Sequence, residues 1–207
     1  MDKIDSRKYG RIVFFTGAGM SAESGVPTYR GRGGVWNEYR WEEFACQEAF
    51  DTDPEKVLKF HELRRAAVLA CAPHAGHAAV AALGKSHPGV TVVTQNIDGM
   101  HQRAGSGKVI ELHGSLWRLL CPEHGITEDI GEKYRCYRCE QCGNWLRPDI
   151  VWFGDMLDQY VTSTAIAAIR SCDLFVSIGT SGVVYPAAGF PSFAKGNDAR
   201  CIEINPE

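Results

Sequence analysis

The 207-residue sequence has no apolar run that approaches the roughly 18 residues a membrane-spanning helix needs. Its first residues, MDKIDSRKYG, carry charges of both signs and lack the apolar segment of a secretory signal. The formal net charge is only −3, which gives no general electrostatic reason to bind nucleic acid or an anionic membrane. Internal repeats and low-complexity tracts are also missing. These absences favour a cytoplasmic protein with no membrane and no nucleic-acid partner.

The rest of the composition is that of an ordinary globular protein, with 44% hydrophobic and 23% charged residues. The length suffices for one well-buried domain and a small module, but it is short for two ordinary domains. Four of the eight cysteines lie between residues 121 and 142. In a chain without a secretory signal, such crowding favours metal binding over disulfides. The other four cysteines are scattered and are expected to be small buried hydrophobes.

Short runs rich in valine and isoleucine alternate with helix-like segments along the chain. The runs are IVFFTGAG, VTVVTQNID, VIELHG, LFVSIGTS and CIEIN. This alternation predicts an α/β fold in which helices cover both faces of a mostly parallel sheet. Helices are predicted over residues 53–70, where Asp53 and Pro54 form a good helix start, over 75–83 and 158–170, and after Pro186.

Residues 118–148 interrupt this rhythm, because cysteines, charges and turn formers replace the apolar periodicity. We interpret this segment as a small inserted module, which divides the main domain into residues 1–117 and 149–207.

Polar or small residues follow four of the predicted strands, at residues 16–19, 94–98, 113–115 and 179–181. Ligands of open α/β sheets bind beyond the carboxyl ends of the strands. These four strand ends are therefore expected to meet at one cleft.

The stretch GAGMSAESGV follows the first predicted strand and has the spacing of a dinucleotide-binding fingerprint at Gly17, Gly19 and Ala22. Such glycines let the backbone approach a pyrophosphate at a helix N-terminus. Hydride-transfer enzymes need an uninterrupted helix at this point, but Pro27 ends any helix early. A nucleotide phosphate is still expected near residues 18–21, beneath the glycine-rich basic loop that follows. The sequence does not, however, fit a protein that uses NAD as a hydride carrier.

Five motifs together resemble one family. GAGMSAESGVPTYR, TQNID, ELHGSL, LRPDIVWFGDML and GTSGVVYPAA occur in the order found in sirtuins, and the match runs from about Arg11 to Glu207. The resemblance implies a Rossmann-like domain, a structural zinc module and an NAD-dependent protein lysine deacylase. In this family, the carbonyl oxygen of acyl-lysine displaces nicotinamide from NAD, and the acyl group is transferred to ADP-ribose. The first motif resembles the bacterial, desuccinylase-type branch most.

The resemblance also implies roles for individual residues. His113 would be the general base, because an imidazole with a pKa of about 6.5 can accept a proton at neutral pH. Asn96 and Asp98 would act beside it, at the ribose and the nicotinamide amide. The residues expected to contact NAD are Gly17, Ala18, Gly19, Ser21 and Ala22 at the diphosphate, Arg30 in the loop above it, Gln95, Asn96, Ile97 and Asp98 at the nicotinamide end, and Gly179, Thr180, Ser181 and Asn205 at the adenosine ribose.

The acyl-lysine is expected along residues 150–155, where the substrate peptide adds as a strand against Val151, Phe153 and Gly154. The branch that removes acidic acyl groups uses a tyrosine and an arginine three residues apart on a helix, and here these positions hold His61 and Arg64. An arginine can bind a carboxylate bidentately, so an acidic-acyl preference is expected. Deacetylation, with Arg64 as an ordinary solvated residue, is the alternative.

Members of the family hold a structural zinc ion with two CxxC pairs. Cys139 and Cys142 form the second pair, whereas Cys121 is followed three residues later by His124. A Cys₃His set also forms tetrahedral zinc sites. Cys136 makes a further CxxC with Cys139, so it stays open as the fourth ligand in place of His124.

Three other functions compete with deacylation: NAD hydrolysis or ADP-ribosyl transfer, a catalytically weak NAD-binding sensor, and a zinc-dependent interaction domain. The IVWFGD segment argues against the first, and the intact Asn96, Asp98 and His113 argue against the second. The third would not need the α/β remainder of the chain. The protein substrate and the oligomeric state stay open.

Sirtuins continue for a few dozen residues past a segment such as CIEINPE. The adenine end of the site is therefore expected to be less complete, whether the chain is shortened or this member dispenses with that element.

Overall fold

The structure, a computed structural model, describes residues 4–31 and 33–206. The strands in these ranges are β1 (Ile12–Thr16), β2 (Val90–Thr94), β3 (Val109–Glu111), β4 (Gly114–Cys121), β5 (Gly125–Glu128), β6 (Arg147–Ile150), β7 (Leu174–Ile178) and β8 (Arg200–Ile204). A parallel sheet has the order β3, β2, β1, β7, β8, and a smaller antiparallel sheet has the order β5, β4, β6. The predicted α/β class with a parallel sheet is confirmed.

Helices α5, α6 and α8 confirm the three long helices expected between the strands. The helices in the described ranges are α1 (Gly19–Ala22), α2 (Val35–Glu38), α3 (Trp41–Phe44), α4 (Gln47–Thr52), α5 (Pro54–Leu69), α6 (Ala75–Ser86), α7 (Met100–Arg103), α8 (Gln159–Arg170) and α9 (Phe190–Lys195). The Asp53 carboxylate caps α5 by accepting a hydrogen bond from the Lys56 N–H at 3.0 Å. Helix α6 extends three residues past its predicted end at Leu83, and Gly84 lies within its last turn. No helix in the described ranges is long and apolar enough to cross a membrane.

Both faces of the parallel sheet are covered, as the apolar runs predict. Successive side chains of a strand point to opposite faces. Accordingly, Phe15 packs with Ile169 of α8 and Phe190 of α9 on one face. Its neighbour Phe14 packs on the other face, in a cluster that contains Val80 of α6.

The small sheet belongs to the segment that interrupts the α/β rhythm. Its strands β4 and β6 run from residue 114 to 121 and from 147 to 150, so the predicted module boundaries at 118 and 148 fall inside these two strands. A buried ion pair joins the segment to α5: the Arg65 guanidinium donates to the Asp129 carboxylate at 2.7 Å. Arg65 is fully buried and also donates to the Gly131 carbonyl oxygen at 2.7 Å, which fixes α5 against the small sheet.

Candidate active site

A cavity of about 670 Å³ lies beyond the carboxyl ends of β1, β2, β3 and β7, where the sequence predicts a cleft. Most of the residues expected to contact ligands line this cavity. They are Gly17, Ala18, Gly19, Arg30, His61, Arg64, Gln95, Asn96, Ile97, His113, Val151, Phe153, Gly154, Gly179, Thr180, Ser181 and Asn205.

Three residues expected at the site lie outside this cavity. Ser21 and Asp98 are buried and line a small adjoining cavity, which shares Ala18 and Asn96 with the large one. Ala22 is the exposed last residue of α1 and lines neither cavity.

The loops after β1 and β7 pack directly against each other through glycines. The Gly19 N–H donates a hydrogen bond to the Gly179 carbonyl oxygen at 2.9 Å. A Cβ atom on Gly19 would lie 2.7 Å from the Gly179 Cα, and one on Gly17 would lie 2.7 Å from the Gly179 carbonyl oxygen. These two glycines are therefore required for contact between the loops, a reason that the fingerprint alone does not supply. Helix α1 spans only four residues, as expected from Pro27.

Asn96 and Asp98 form the buried polar floor of the site. The Asn96 Nδ2 donates to the Gly17 carbonyl oxygen at 2.9 Å and to the Ser21 Oγ at 3.2 Å, which ties the β2 loop to the β1 loop. The Asp98 carboxylate accepts a hydrogen bond from the Met100 N–H at 2.9 Å. Burial raises the pKa of Asp98, although this hydrogen bond opposes the shift.

His113 follows β3 and lies half-buried in the cavity wall. Its Nδ1 lies 2.9 Å from the Gln95 carbonyl oxygen. A carbonyl oxygen only accepts hydrogen bonds, so Nδ1 carries the proton and Nε2 is the basic atom. Burial lowers the pKa of His113, and the hydrogen bond to Gln95 opposes this shift. The imidazole is therefore neutral at neutral pH and can act as a general base.

The far end of the cavity lies between α5 and the segment after β6. Burial alternates along this segment, since Trp152 is buried and Val151 and Phe153 are half-buried, and all three line the cavity. The Phe153 N–H donates to the Ala45 carbonyl oxygen at 2.9 Å, which holds the segment against the chain before α4.

Several aromatic residues of this wall are not predicted from the sequence, since isolated aromatic residues carry no periodic signal. Phe60, Trp36 and Trp152 also line the cavity. Trp36 stands edge-on to Phe153, with ring centroids 5.8 Å apart, so these side chains form an apolar channel.

The four predicted metal ligands lie together at one end of the small sheet. The ligand atoms of Cys121, His124, Cys139 and Cys142 all lie within 4.8 Å of one another. The His124 Nδ1 is 3.5 Å from the Sγ atoms of both Cys121 and Cys139. Ligands at Zn–S bonds of about 2.3 Å in a tetrahedron are about 3.8 Å apart, so the arrangement fits a tetrahedral metal ion. Among the described residues, this cluster contains His124 and not Cys136.

The fold and the cavity define a nucleotide-binding α/β protein with a metal-binding module. A family model described as the Sir2 family matches residues 17–186. A protein of Aquifex aeolicus named NAD-dependent protein deacylase is 45% identical over 204 residues, which covers 95% of this chain and 83% of the relative. The chain belongs to the Sir2 family.

Solved structures agree with this assignment. A Sir2 homologue in complex with NAD is 42% identical, with a TM-score of 0.88, and the match covers 97% of this chain and 79% of that one. A Sir2 variant with a deacetylated p53 peptide and 3′-O-acetyl ADP-ribose is 31% identical, with a TM-score of 0.83, over 96% of this chain and 83% of that one.

Proposed function

We propose that this chain is an NAD-dependent protein lysine deacylase, which transfers an acyl group from lysine to ADP-ribose and releases nicotinamide. One observation carries the proposal: His113, a neutral base fixed by Gln95, shares a cavity with the glycine loops after β1 and β7. The relatives named as deacylases and the Sir2 structure that holds a deacetylated peptide with acetyl ADP-ribose support it.

NAD is a co-substrate in this proposal. The residues proposed to hold its diphosphate and adenosine ribose are those of the β1 and β7 loops, with Arg30 above them and Asn205 beside them. The polar floor of Asn96 and Asp98 receives the ribose and the nicotinamide amide. The contact between Gly19 and Gly179 supports this assignment, because it brings both loops to one cavity.

His113 acts as the general base. The acyl-lysine carbonyl oxygen forms a bond to the ribose carbon as the bond from that carbon to nicotinamide breaks. The Nε2 of His113 then removes a proton from a ribose hydroxyl, which attacks the acyl carbon, and one water molecule completes the reaction as the lysine leaves as a free amine and the acyl group stays on ADP-ribose. A base that is neutral at pH 7 suits this step. The channel along Val151, Phe153 and Gly154 holds the lysine stem.

A structural zinc ion is held by Cys121, His124, Cys139 and Cys142 in a module of residues 118–148. Thiolates and imidazole are the ligands that zinc prefers, and four protein ligands leave no open position for catalysis. The remainder of the chain, residues 1–117 and 149–207, is the NAD-binding domain.

The preferred acyl group is acidic, such as succinyl. Arg64 lines the cavity and lies over the Tyr29 ring, with its guanidinium carbon 5.6 Å from the centroid. In the described part of the chain, Arg64 has no carboxylate partner within ion-pair distance, whereas its neighbour Arg65 is paired with Asp129. An unpaired arginine at the wall of an apolar channel favours a substrate that brings its own negative charge.

Release of nicotinamide from NAD, measured with and without an acyl-lysine peptide, tests the main proposal. The expected result is release that requires the peptide. Release without a peptide would favour NAD hydrolysis, and NAD binding without any release would favour a sensor.

Arg64→Met tests the acyl preference. The variant should lower the kcat/KM for a succinyl-lysine peptide far more than that for an acetyl-lysine peptide. Lys59→Met, which removes an exposed positive charge from the same helix, is the matched control and should change neither value. Equal turnover of the two peptides, with no effect of Arg64→Met, would rule out the preference.

A further inference from the structure

Arg147, the first residue of β6, contacts the segment of residues 150–155 at its start, its middle and its end. The Arg147 Nη2 donates a hydrogen bond to the Ile150 carbonyl oxygen at 3.2 Å and another to the Asp155 carboxylate. Its guanidinium carbon lies 3.9 Å from the centroid of the Trp152 ring. One side chain therefore holds the whole segment proposed to receive the substrate peptide.

The same guanidinium also anchors the segment to α4. The Arg147 Nη1 donates a hydrogen bond to the Oε1 of Gln47, the first residue of α4, at 2.5 Å. This anchor lies close to the one between Phe153 and Ala45, since Ala45 is two residues before Gln47. Arg147 itself lines neither of the two cavities described above, although it holds residues that do.

Asp155 closes the segment into a turn. Its carboxylate accepts a hydrogen bond from the Trp152 N–H at 2.9 Å, and its own N–H donates to the Trp152 carbonyl oxygen at 3.1 Å. Gly154, inside this turn, has a φ of +90°, which residues with a side chain rarely adopt. The arginine thus binds a carboxylate that is already part of the turn, and the two side chains together fix its shape.

The backbone of the segment has hydrogen-bonding groups to spare. Along the described chain, the carbonyl oxygens of Val151 and Phe153 and the N–H of Gly154 make no backbone hydrogen bond. A strand ladder therefore does not hold the segment before a peptide adds to it. Its shape depends on the anchors of its other N–H groups and on the side chains of Arg147 and Asp155.

We propose that Arg147 is a positioning residue for the substrate peptide, which holds residues 150–155 in the shape to which the peptide strand adds. Arg147 acts through Trp152 and Asp155, and it touches neither NAD nor the acyl group. This inference rests on the proposed deacylase function and adds to it the residue that organises the peptide site.

The proposal predicts which kinetic constant depends on Arg147. A segment that is already in its bound shape loses little conformational freedom when the peptide binds, whereas a loose segment must be ordered at the expense of affinity. This cost is the same for the bound substrate and for the transition state. Loss of Arg147 should therefore raise the KM for the peptide and leave kcat unchanged.

Arg147→Met tests the proposal with an acetyl-lysine peptide. The KM for the peptide should rise by about tenfold or more, because hydrogen bonds of a charged group are lost. The kcat at saturating peptide and the Kd for NAD should not change. Arg147→Lys keeps a positive charge for Asp155 but not the planar fork that also reaches Ile150 and Gln47, so its KM should be intermediate.

Arg170→Met is the matched control. Arg170, the last residue of α8, also lies over an aromatic ring, with its guanidinium carbon 5.0 Å from the centroid of Phe193, but it lines neither cavity. Its replacement should leave the peptide KM unchanged. A peptide KM in Arg147→Met equal to that in Arg170→Met would overturn the proposal, and so would an equal loss of peptide and NAD affinity.

Gln47→Ala provides a second test that does not require Arg147→Met to fold. It removes one anchor of the guanidinium and should raise the peptide KM, though less than Arg147→Met does. Added to Arg147→Met, it should raise the KM no further, because both changes act on one contact. A general loss of stability would not produce this non-additivity. No effect of Gln47→Ala alone, or a full further rise in the double variant, would contradict the proposal.

Fluorescence anisotropy of a labelled acetyl-lysine peptide separates this inference from the proposed function. It gives the peptide Kd without turnover, and this Kd should rise in Arg147→Met in proportion to the KM. If the unaltered protein bound the peptide but released no nicotinamide from NAD, the deacylase function would fail, and the anisotropy would still decide the role of Arg147. An unaltered protein that did not bind the peptide, or an equal Kd in Arg147→Met, would overturn the inference.

Discussion

The Nδ1 of His113 lies 2.9 Å from the carbonyl oxygen of Gln95, and this contact joins the residues that follow β3 and β2. It fixes the tautomer of the imidazole and leaves Nε2 as its basic atom. The N–H of Val151 donates to the His113 carbonyl oxygen at 3.0 Å, so the same residue is also fixed to the wall of the acyl-lysine channel. One histidine thus connects the proposed NAD site with the proposed peptide site.

The pH profile of the reaction tests this role of His113. Because burial lowers its pKa, the base should be fully available at neutral pH, and kcat/KM for an acetyl-lysine peptide should fall only below the ordinary histidine value of about 6.5. A steady-state profile measures this directly. An acid limb centred well above that value would contradict the assignment.

The loop contact predicts a severe effect of Gly19→Ala. The new Cβ would lie 2.7 Å from the Gly179 Cα, and backbone atoms cannot move aside as a flexible side chain can. The loops should separate, and NAD affinity should fall by about tenfold or more, equivalent to about 1.4 kcal/mol. Calorimetric titration with NAD measures this effect.

Gly107→Ala is the matched control for Gly19→Ala, because a Cβ at residue 107 would meet no atom within 4 Å. It should leave NAD affinity unchanged. Equal affinity in Gly19→Ala and the unaltered protein would mean that the loop contact is not needed for binding.

Local sequence patterns predicted most of the fold. Valine- and isoleucine-rich runs identified the five strands of the parallel sheet, and Asp53 and Asp158 mark the starts of α5 and α8 as N-caps. The short helices between residues 35 and 52 were not predicted, because four to six residues are too few to show a periodicity. The small sheet begins at Gly114 and ends at Ile150, both outside the cysteine-rich segment, so the change in composition does not mark the ends of the sheet.

The loops around the cavity were predictable from the sequence, because each loop is formed by a motif that is contiguous in sequence. The burial of His61 depends on residues far along the chain, such as Trp152, and no local pattern indicates it. The cytoplasmic location and the lack of nucleic-acid affinity stay predictions from the sequence.

Arg65→Met should strongly destabilise the protein. Arg65 and Asp129 are 0% and 5% exposed, and removal of the guanidinium leaves the buried carboxylate with only Arg135, which is largely exposed and 3.9 Å away. The free energy of unfolding should fall by about 3–5 kcal/mol. Urea denaturation measures it, and Lys59→Met, which breaks an exposed pair on the same helix, should cause no measurable change. A loss similar to that of the control would contradict this account.

The metal cluster predicts one bound zinc ion and identifies its ligands. Cys139→Ala and His124→Ala should each lower the zinc content and the thermal stability, because structural zinc contributes folding free energy. Cys136→Ser should retain the metal, since the cluster does not include this residue. Elemental analysis of the purified proteins measures the zinc content of each variant. Zinc loss in Cys136→Ser together with retention in His124→Ala would reverse the assignment.

Mass spectrometry of the products tests the central claim most directly. After incubation with NAD and an acyl-lysine peptide, the unaltered protein should yield free nicotinamide, deacylated peptide and O-acyl-ADP-ribose in equal amounts. His113→Ala should lower the rate by about 10²- to 10⁴-fold, the usual contribution of a general base. Free ADP-ribose with an intact acyl-lysine peptide, or unchanged product formation in His113→Ala, would contradict the account.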